Sequence, residues 1–258
     1  MYSLQGYSFP HRAMSYAQAE SYFAKYIEAE DELGADYIKD NVAFKTHTAL
    51  PWVRDICLLP SVLDVIETVL GPNILCFSST FFVKQPRLGQ YVSMHEDSLY
   101  FDPTEPDNVA SVWIALNGSN KTTGCLEYVP ESHLQDYDHI HNLDHNNLLP
   151  RGQTVEGRYS TVHAELDAGE FSMHHIKLLH RSGPNQSSQY RVGVVARYCK
   201  PSCRIQMFSN PSAITARGTN TNTDYWQEDY IPVEDYDIAG IDYIRYTMKE
   251  DFKNESTS

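Results

Sequence analysis

The sequence has no long apolar run, no basic run and no CxxC pair of cysteines. None of its hydrophobic stretches approaches the roughly 18 residues a membrane span needs, so no segment reads as a membrane-crossing helix. Lys and Arg number 20 against 34 Asp and Glu, a formal charge of −14 with no basic cluster to interrupt it. Such a surface repels a phosphate backbone, which removes nucleic acid from the expected partners. The five cysteines (Cys57, Cys76, Cys125, Cys199 and Cys203) are odd in number and form no CxxC motif. That pattern argues against a disulfide framework or a structural zinc site and leaves reduced, mostly buried thiols. The opening MYSLQGYSFPHR lacks the basic start and apolar core of a secretory signal, so a cytoplasmic location is expected.

What remains is a chain of 258 residues, a length compatible with one large domain, in which helical patterning comes first and strand patterning follows. Ser15 and Gln18 form a potential capping box; Tyr22, Phe23, Tyr26 and Ile27 share one helical face, and Gly34 can end the helix. The acidic run over 28–32 then reads as a solvated face. A second helical stretch follows Pro60, with Ser61 as its expected cap, an apolar stripe through Val62, Leu63, Ile66, Val69 and Leu70, and Gly71 as its end. From residue 73 the pattern changes. Residues 74–84, 90–95, 109–117, 126–129, 170–176, 191–198 and 204–208 are rich in β-branched and aromatic residues and are separated by Gly and Pro clusters.

Short strands at this spacing, after a helical start, predict a mainly β jelly-roll barrel with flanking α-helices. The expected division is N-terminal helices over about 15–71, a barrel core over about 73–210 and a C-terminal extension over 211–258, with 249–258 a polar, frayed end. The stretch 136–153, rich in His, Asn and Asp, reads as a long surface insertion of the kind that often serves as a lid.

Within QYVSMHED, His95 and Asp97 lie two apart at the end of a strand-like segment, and the period of two sends both side chains to one face. An imidazole, a carboxylate and a second imidazole from elsewhere make the 2-His-1-carboxylate facial triad of non-haem iron, which leaves positions open for a chelating cosubstrate and oxygen. On spacing alone the second imidazole is His174, His175 or His180 of HHIKLLHRSGPN. Arg191, eleven residues after His180, is a guanidinium able to pair in bidentate fashion with a dicarboxylate beside the metal.

These segments, together with SSTFFVKQP, HEDSLYF, VWIALNGSNKTTGCLEYVPESH and LDAGEFSMHH in this order, resemble the phytanoyl-CoA dioxygenase family of iron(II)/2-oxoglutarate oxygenases, in particular its bacterial small-molecule branch. The resemblance implies a double-stranded β-helix, a cupin-like jelly roll, and assigns His95, Asp97 and His180 as iron ligands. It implies that Arg191 holds the distal carboxylate of 2-oxoglutarate with Ser182 and Trp113 nearby, and that Phe82 and Lys84 border the same pocket. Glu96 stands where the family often has Gln, and Arg181 where it often has Gly; a solvated ion pair between them is the expectation. One of His174 and His175 is expected to face the barrel interior. His133, His139, His141, His145 and His163 read as loop or surface residues.

The activity so implied is oxidation, in the first place hydroxylation, of an unactivated C–H bond of a small molecule of secondary metabolism, consuming O2 and 2-oxoglutarate and releasing succinate and CO2. Two alternatives stand beside it. Halogenases resembling this fold replace the carboxylate ligand with Ala or Gly so that halide can bind, whereas Asp97 is present here. A jelly roll that keeps a purely structural metal would need a site closed to outside ligands.

Overall fold

The computed structural model describes residues 2–42, 44–141, 143–149 and 152–247. The end expected to fray, 249–258, lies outside the described residues. In chain order the elements are helix α1 (Tyr2–Gln5), strand β1 (Tyr7–Arg12), helices α2 (Tyr16–Leu33), α3 (Ala35–Asn41), α4 (Pro51–Cys57) and α5 (Pro60–Leu70), then β2 (Ile74–Lys84), β3 (Val92–His95), α6 (Ser98–Phe101), β4 (Val109–Ala115), β5 (Leu126–Tyr128), β6 (Ile140–His141), β7 (Gln153–Thr154), β8 (Val162–Ala164), β9 (Glu170–His175), β10 (His180–Ser182), β11 (Arg191–Cys199), β12 (Ser212–Arg217), β13 (Gln227–Glu228) and α7 (Ile238–Thr247). They form a seven-stranded sheet in the order β1-β9-β4-β11-β2-β12-β13, a four-stranded sheet β3-β10-β5-β8, and a small β6-β7 pair. All pairings are antiparallel except β12 with β13. This is the double-stranded β-helix expected from the sequence.

The larger sheet is buried on both faces, and alternation divides its residues between two jobs. Ala110, Val112 and Ile114 of β4, with Val192, Val194, Ala196 and Tyr198 of β11, pack against Trp52, Val53, Ile56, Val62, Leu63 and Ile66 of the helical layer. Each such aliphatic side chain taken out of water contributes on the order of 1.5–3 kcal/mol. The intervening residues, Ser111 and Trp113 on β4 and Arg191, Gly193, Val195 and Arg197 on β11, therefore point into the barrel. The two faces of one strand thus serve the core and the site separately.

Ser15 caps α2 through the expected box with Gln18, and Gly34, at φ +86°, ends it. Of the acidic run, Glu30 is half-buried and accepts hydrogen bonds from Gln85 and Tyr190, while its neighbours Glu28, Asp31 and Glu32 are exposed. Ser61 does not cap α5: Pro60 already occupies the first turn, and the Ser61 hydroxyl donates to the Ala13 carbonyl. The stretch 204–208 is not a strand either. Ile205, Met207 and Phe208 bury themselves against Phe77 and Trp226, with Ile205 making only an isolated bridge to Pro103. Several strands fall outside the expected ranges, among them β8 and β10 of the smaller sheet, β1, a sheet edge near the chain start, and β12, which lies beside β2 although its sequence falls in the expected extension. The insertion over 136–153 carries β6 and the first residue of β7, and ties back to β3 and the residue before it through Tyr91 and Asp144 (2.9 Å) and Ser93 and Asn147 (2.9 Å).

Candidate metal centre

β3 and β10 are neighbours in the smaller sheet, and His95 is paired directly with His180. The strand expected over 170–176 ends as β9 at His175; the chain then turns and places β9 and β10 in different sheets, so His174 and His180 approach from opposite walls. The donor atoms of His95, Asp97 and His180 all lie within 4.8 Å of one another, and all three residues are buried. His95 Nε2 is 3.7 Å and His180 Nε2 is 4.0 Å from Asp97 Oδ1.

The second shell fits a metal. His95 Nδ1 lies 2.9 Å from the Ser93 carbonyl and His180 Nδ1 2.9 Å from the Leu178 carbonyl. A carbonyl only accepts, so each Nδ1 carries the proton and each Nε2 offers a lone pair toward the common centre. Burial, reinforced by His95 and His174, holds the His180 imidazole well below its usual pKa, in the neutral form that ligates. Burial alone would push Asp97 up, but the Arg197 guanidinium, followed by His174, His95 and His180, keeps it well below the usual carboxylate range. Two imidazoles that turn Nε2 toward an ionised carboxylate are the donor set that divalent iron takes.

Arg197 is a residue the sequence reading missed. Its Nε donates to Asp97 Oδ2 at 2.9 Å and its Nη2 to Oδ1 at 3.2 Å, and the Ser111 hydroxyl donates to Oδ2 at 2.9 Å. The only signal available was alternation: Arg197 shares a strand face with Arg191. Of the two neighbouring histidines, His174 faces the interior, with Nε2 3.8 Å from Asp97 Oδ2 and Nδ1 3.2 Å from the Tyr128 hydroxyl. His175 faces away, toward Asp107 at 3.2 Å, and its ring lies 5.1 Å from that of His133. His133 is accordingly buried, contrary to its loop assignment, because the N-terminal segment covers it: Gly6 leaves no room for a Cβ beside its ring. Glu96 and Arg181 do not pair. Glu96 is buried under the insertion, accepts from Ser98 at 2.5 Å and has its pKa raised by burial, while Arg181 pairs with Glu127 at 2.9 Å.

Beside the triad, Lys84 and Arg191 face each other across β2 and β11. Both are fully buried, and neither forms an ion pair with a carboxylate among the described residues. Arg191 donates to the Gly124 carbonyl at 2.9 Å while its Nε has no partner, and its guanidinium lies 5.0 Å from the Trp113 ring, whose Nε1 is also unpartnered. Lys84 Nζ is 2.6 Å from Ser182 Oγ and also contacts the Ser182 and Gly183 carbonyls. Burial, then the charge of Arg191, pushes Lys84 down to about 6. Phe82 lies on the same strand face as Lys84 and packs between the two barrel clusters. A buried guanidinium with an unpartnered Nε, an unpartnered indole N–H and a buried amine beside them make a receptor for an anionic ligand with hydrogen-bonding oxygens.

A second group, His47, Cys57 and Cys76, also clusters. Both ring nitrogens of His47 are already engaged, by Ser79 (2.7 Å) and Asp229 (2.8 Å), and burial holds the Cys76 thiol well above its usual pKa. That set is a buried core contact rather than a ligand set. A cleft of about 540 Å³ lies along β3 and β10, lined in part by Met94, Val155 and Arg181, and reaches the groups around the site through Ser93, Ser182 and Gly183.

The family model for phytanoyl-CoA dioxygenase (PhyH) matches residues 11–193. The chain belongs to the phytanoyl-CoA dioxygenase family. Members of this PhyH family are Fe(II)/2-oxoglutarate-dependent dioxygenases. The peroxisomal phytanoyl-CoA dioxygenase of Bos taurus is 29% identical over 155 residues, covering 57% of this chain and 46% of that protein; the chain thus spans about half the length of the curated relatives it matches. Among solved structures, the apo form of the non-heme monooxygenase ThoJ superposes with a TM-score of 0.83 at 27% identity, over 99% of this chain and 96% of that one. The non-heme alpha-ketoglutarate-dependent carbocyclase SnoK from nogalamycin biosynthesis shares the fold, with a TM-score of 0.63 at 23% identity over 79% of this chain and 83% of SnoK. No helix among the described residues is long and apolar enough to cross a membrane.

Proposed function

We propose that this PhyH-family chain is an Fe(II)/2-oxoglutarate-dependent oxygenase that oxidises, in the first place hydroxylates, an unactivated C–H bond of a small molecule in natural-product metabolism. One juxtaposition carries the reading: a buried His95-Asp97-His180 donor set beside two buried basic groups, Lys84 and Arg191, that have no ion-pair partner among the described residues. The natural-product setting is drawn from SnoK, which comes from nogalamycin biosynthesis and shares the fold.

In this reading His95 Nε2, Asp97 Oδ1 and His180 Nε2 hold the iron, and Arg191, Lys84 and Ser182 bind the distal carboxylate of 2-oxoglutarate, with Trp113 as a wall. Bound iron with 2-oxoglutarate supplies the oxidant from O2, at the expense of decarboxylation to succinate and CO2. The protein's own work is to orient and to exclude. Ser93 and Leu178 fix the two imidazoles, Arg197 and Ser111 fix the carboxylate, and the apolar rings of Trp113, Phe82 and Phe101 keep bulk water from the centre. With Asp97 in place, the position a halide would need is filled, so oxidation rather than halogenation is the expected outcome.

The test is anaerobic titration of the Fe(II) protein with 2-oxoglutarate, read by the visible charge-transfer band of the chelate. Arg191→Ala should weaken 2-oxoglutarate binding by about 2–5 kcal/mol, the scale for truncating one partner of a buried, hydrogen-bonded charge pair. A variant that binds as the parent does removes Arg191 from the site.

A further inference from the structure

Three strands of the larger sheet present one cross-strand row to the metal centre. Arg197 of β11 is paired with Ser111 of β4, and Ser111 with His174 of β9. All three side chains are buried and point into the barrel, toward a carboxylate that arrives from the other sheet at the end of β3. Their polar atoms converge on the same oxygen: Arg197 Nε and Ser111 Oγ each lie 2.9 Å from Asp97 Oδ2, and His174 Nε2, which makes no hydrogen bond of its own, is 3.8 Å away.

The two carboxylate oxygens are thereby made unequal. Oδ2 receives two good hydrogen bonds. Oδ1 receives one longer contact, from Arg197 Nη2 at 3.2 Å, and is the oxygen facing His95 and His180. The row itself is braced on both flanks. The Arg197 guanidinium stacks 4.5 Å over the Phe101 ring, and His174 is held through the Tyr128 hydroxyl, which lies 2.8 Å from Ser172 Oγ. A charged planar fork gripping a carboxylate is an orienting device, since its geometry admits few carboxylate rotations.

We infer that the Arg197-Ser111-His174 row is a positioning element that fixes Asp97 for one-oxygen metal binding through Oδ1 before any metal arrives. The inference rests on the metal reading given above, but it concerns how the ligand is set rather than which residues ligate. Arg197 and Ser111 do not touch the metal in this arrangement; they act through Asp97.

The test is equilibrium titration of the full chain with Co(II), whose visible spectrum reports coordination number, together with thermal unfolding of the apoprotein. Ser111→Ala is the mild variant, because it keeps the Arg197-Asp97 charge pair, and Arg197→Gln is the severe one. Cobalt affinity should fall within the 10–100-fold range of outer-shell substitutions, toward the lower end for Ser111→Ala and the upper end for Arg197→Gln, with an altered cobalt spectrum in both. Arg197→Lys should restore the apoprotein's melting temperature toward the parent's without restoring the spectrum, since a point charge lacks the fork. If parent and His180→Ala bind cobalt alike, the metal reading falls and this inference with it. If His180→Ala loses cobalt while Ser111→Ala and Arg197→Gln bind it as the parent does, with the parent's spectrum, the metal reading stands and the positioning role alone is overturned.

Discussion

Binding of 2-oxoglutarate should take up a proton at Lys84. In the ligand-free barrel, burial and the facing Arg191 guanidinium hold the Lys84 amine at about 6, with Cys125 and Glu127 opposing only weakly, so at neutral pH the amine is mostly uncharged. It can donate to two of its neighbouring carbonyls and accept from the Ser182 hydroxyl. A carboxylate placed beside it favours the ammonium form and raises its pKa. The sign follows from linkage: a group whose pKa rises on binding contributes affinity that is complete below its free value and is lost as pH climbs toward its bound value. Affinity should therefore be highest near pH 6 and fall by up to tenfold per unit above it. Between pH 6 and 8 that amounts to as much as about 2.7 kcal/mol, at 1.36 kcal/mol per unit. Calorimetry at pH 7.5 in buffers of different ionisation enthalpy should show uptake approaching one proton per 2-oxoglutarate. Lys84→Met should bind more weakly at pH 6 and lose both the uptake and the slope. Equal proton uptake by parent and Lys84→Met, or none by the parent, refutes the reasoning.

Three further outcomes are expected. Asp97→Ala leaves Arg197 buried without its counter-ion and should destabilise the apoprotein by about 3–5 kcal/mol in denaturant unfolding, with part of the loss recovered in Asp97→Ala/Arg197→Met; a loss under about 1 kcal/mol counts against the buried pair. His175→Ala should retain metal that His180→Ala loses, at a cost of about 1–3 kcal/mol, because the Lys177 amide that now donates to its ring would lose its partner. Metal loss in His175→Ala would shift the distal ligand by five residues. At Gly193 a Cβ would sit 2.1 Å from Trp113 Cζ2, so Gly193→Ala must displace the indole that stacks beside Arg191. Its expected cost is about 1–3 kcal/mol of stability with weaker 2-oxoglutarate binding, and an unperturbed Trp fluorescence would contradict it.

The parts of this site that were legible in the sequence are the local ones. His95 and Asp97 declare themselves because they lie two apart at the end of a strand-like segment, although β3 itself stops at His95 and Asp97 takes helical backbone angles (φ −67°, ψ −26°) just before α6. The choice among His174, His175 and His180 depends on which strand pairs with β3, a contact across 85 positions in the chain, and only the family motif before SGPN pointed to the residue that the pairing brings opposite His95. Helix caps were partly readable for the same reason: Ser15 and Gln18 lie within one turn, whereas the fate of Ser61 was decided by a carbonyl 48 residues away. Arg197 was invisible because nothing in VVARY distinguishes an arginine gripping a buried carboxylate from one pointing at solvent. The stretch 204–208 misled in the opposite way, since its apolar residues face a packed corner with no neighbouring strand to pair with along their length.

The charge of the whole chain and the charge beside the candidate metal centre have opposite signs, and the difference bears on what the site can hold. A formal −14 would suggest a cationic ligand if the surface decided the matter. Inside the barrel the balance is different. Asp97 is matched by Arg197, and beyond that pair Arg191 remains charged, its pKa lowered only to about 10, with Lys84 beside it able to take up a proton. Surface charges act through water and are screened within about 8–10 Å at physiological salt, while groups buried in the barrel are screened far less. The local cations therefore outweigh the distant acids for any ligand that reaches them. Their burial without an acid is a cost to the empty protein that an incoming dicarboxylate relieves, so the same residues that make the empty pocket unfavourable make it selective for a dianion.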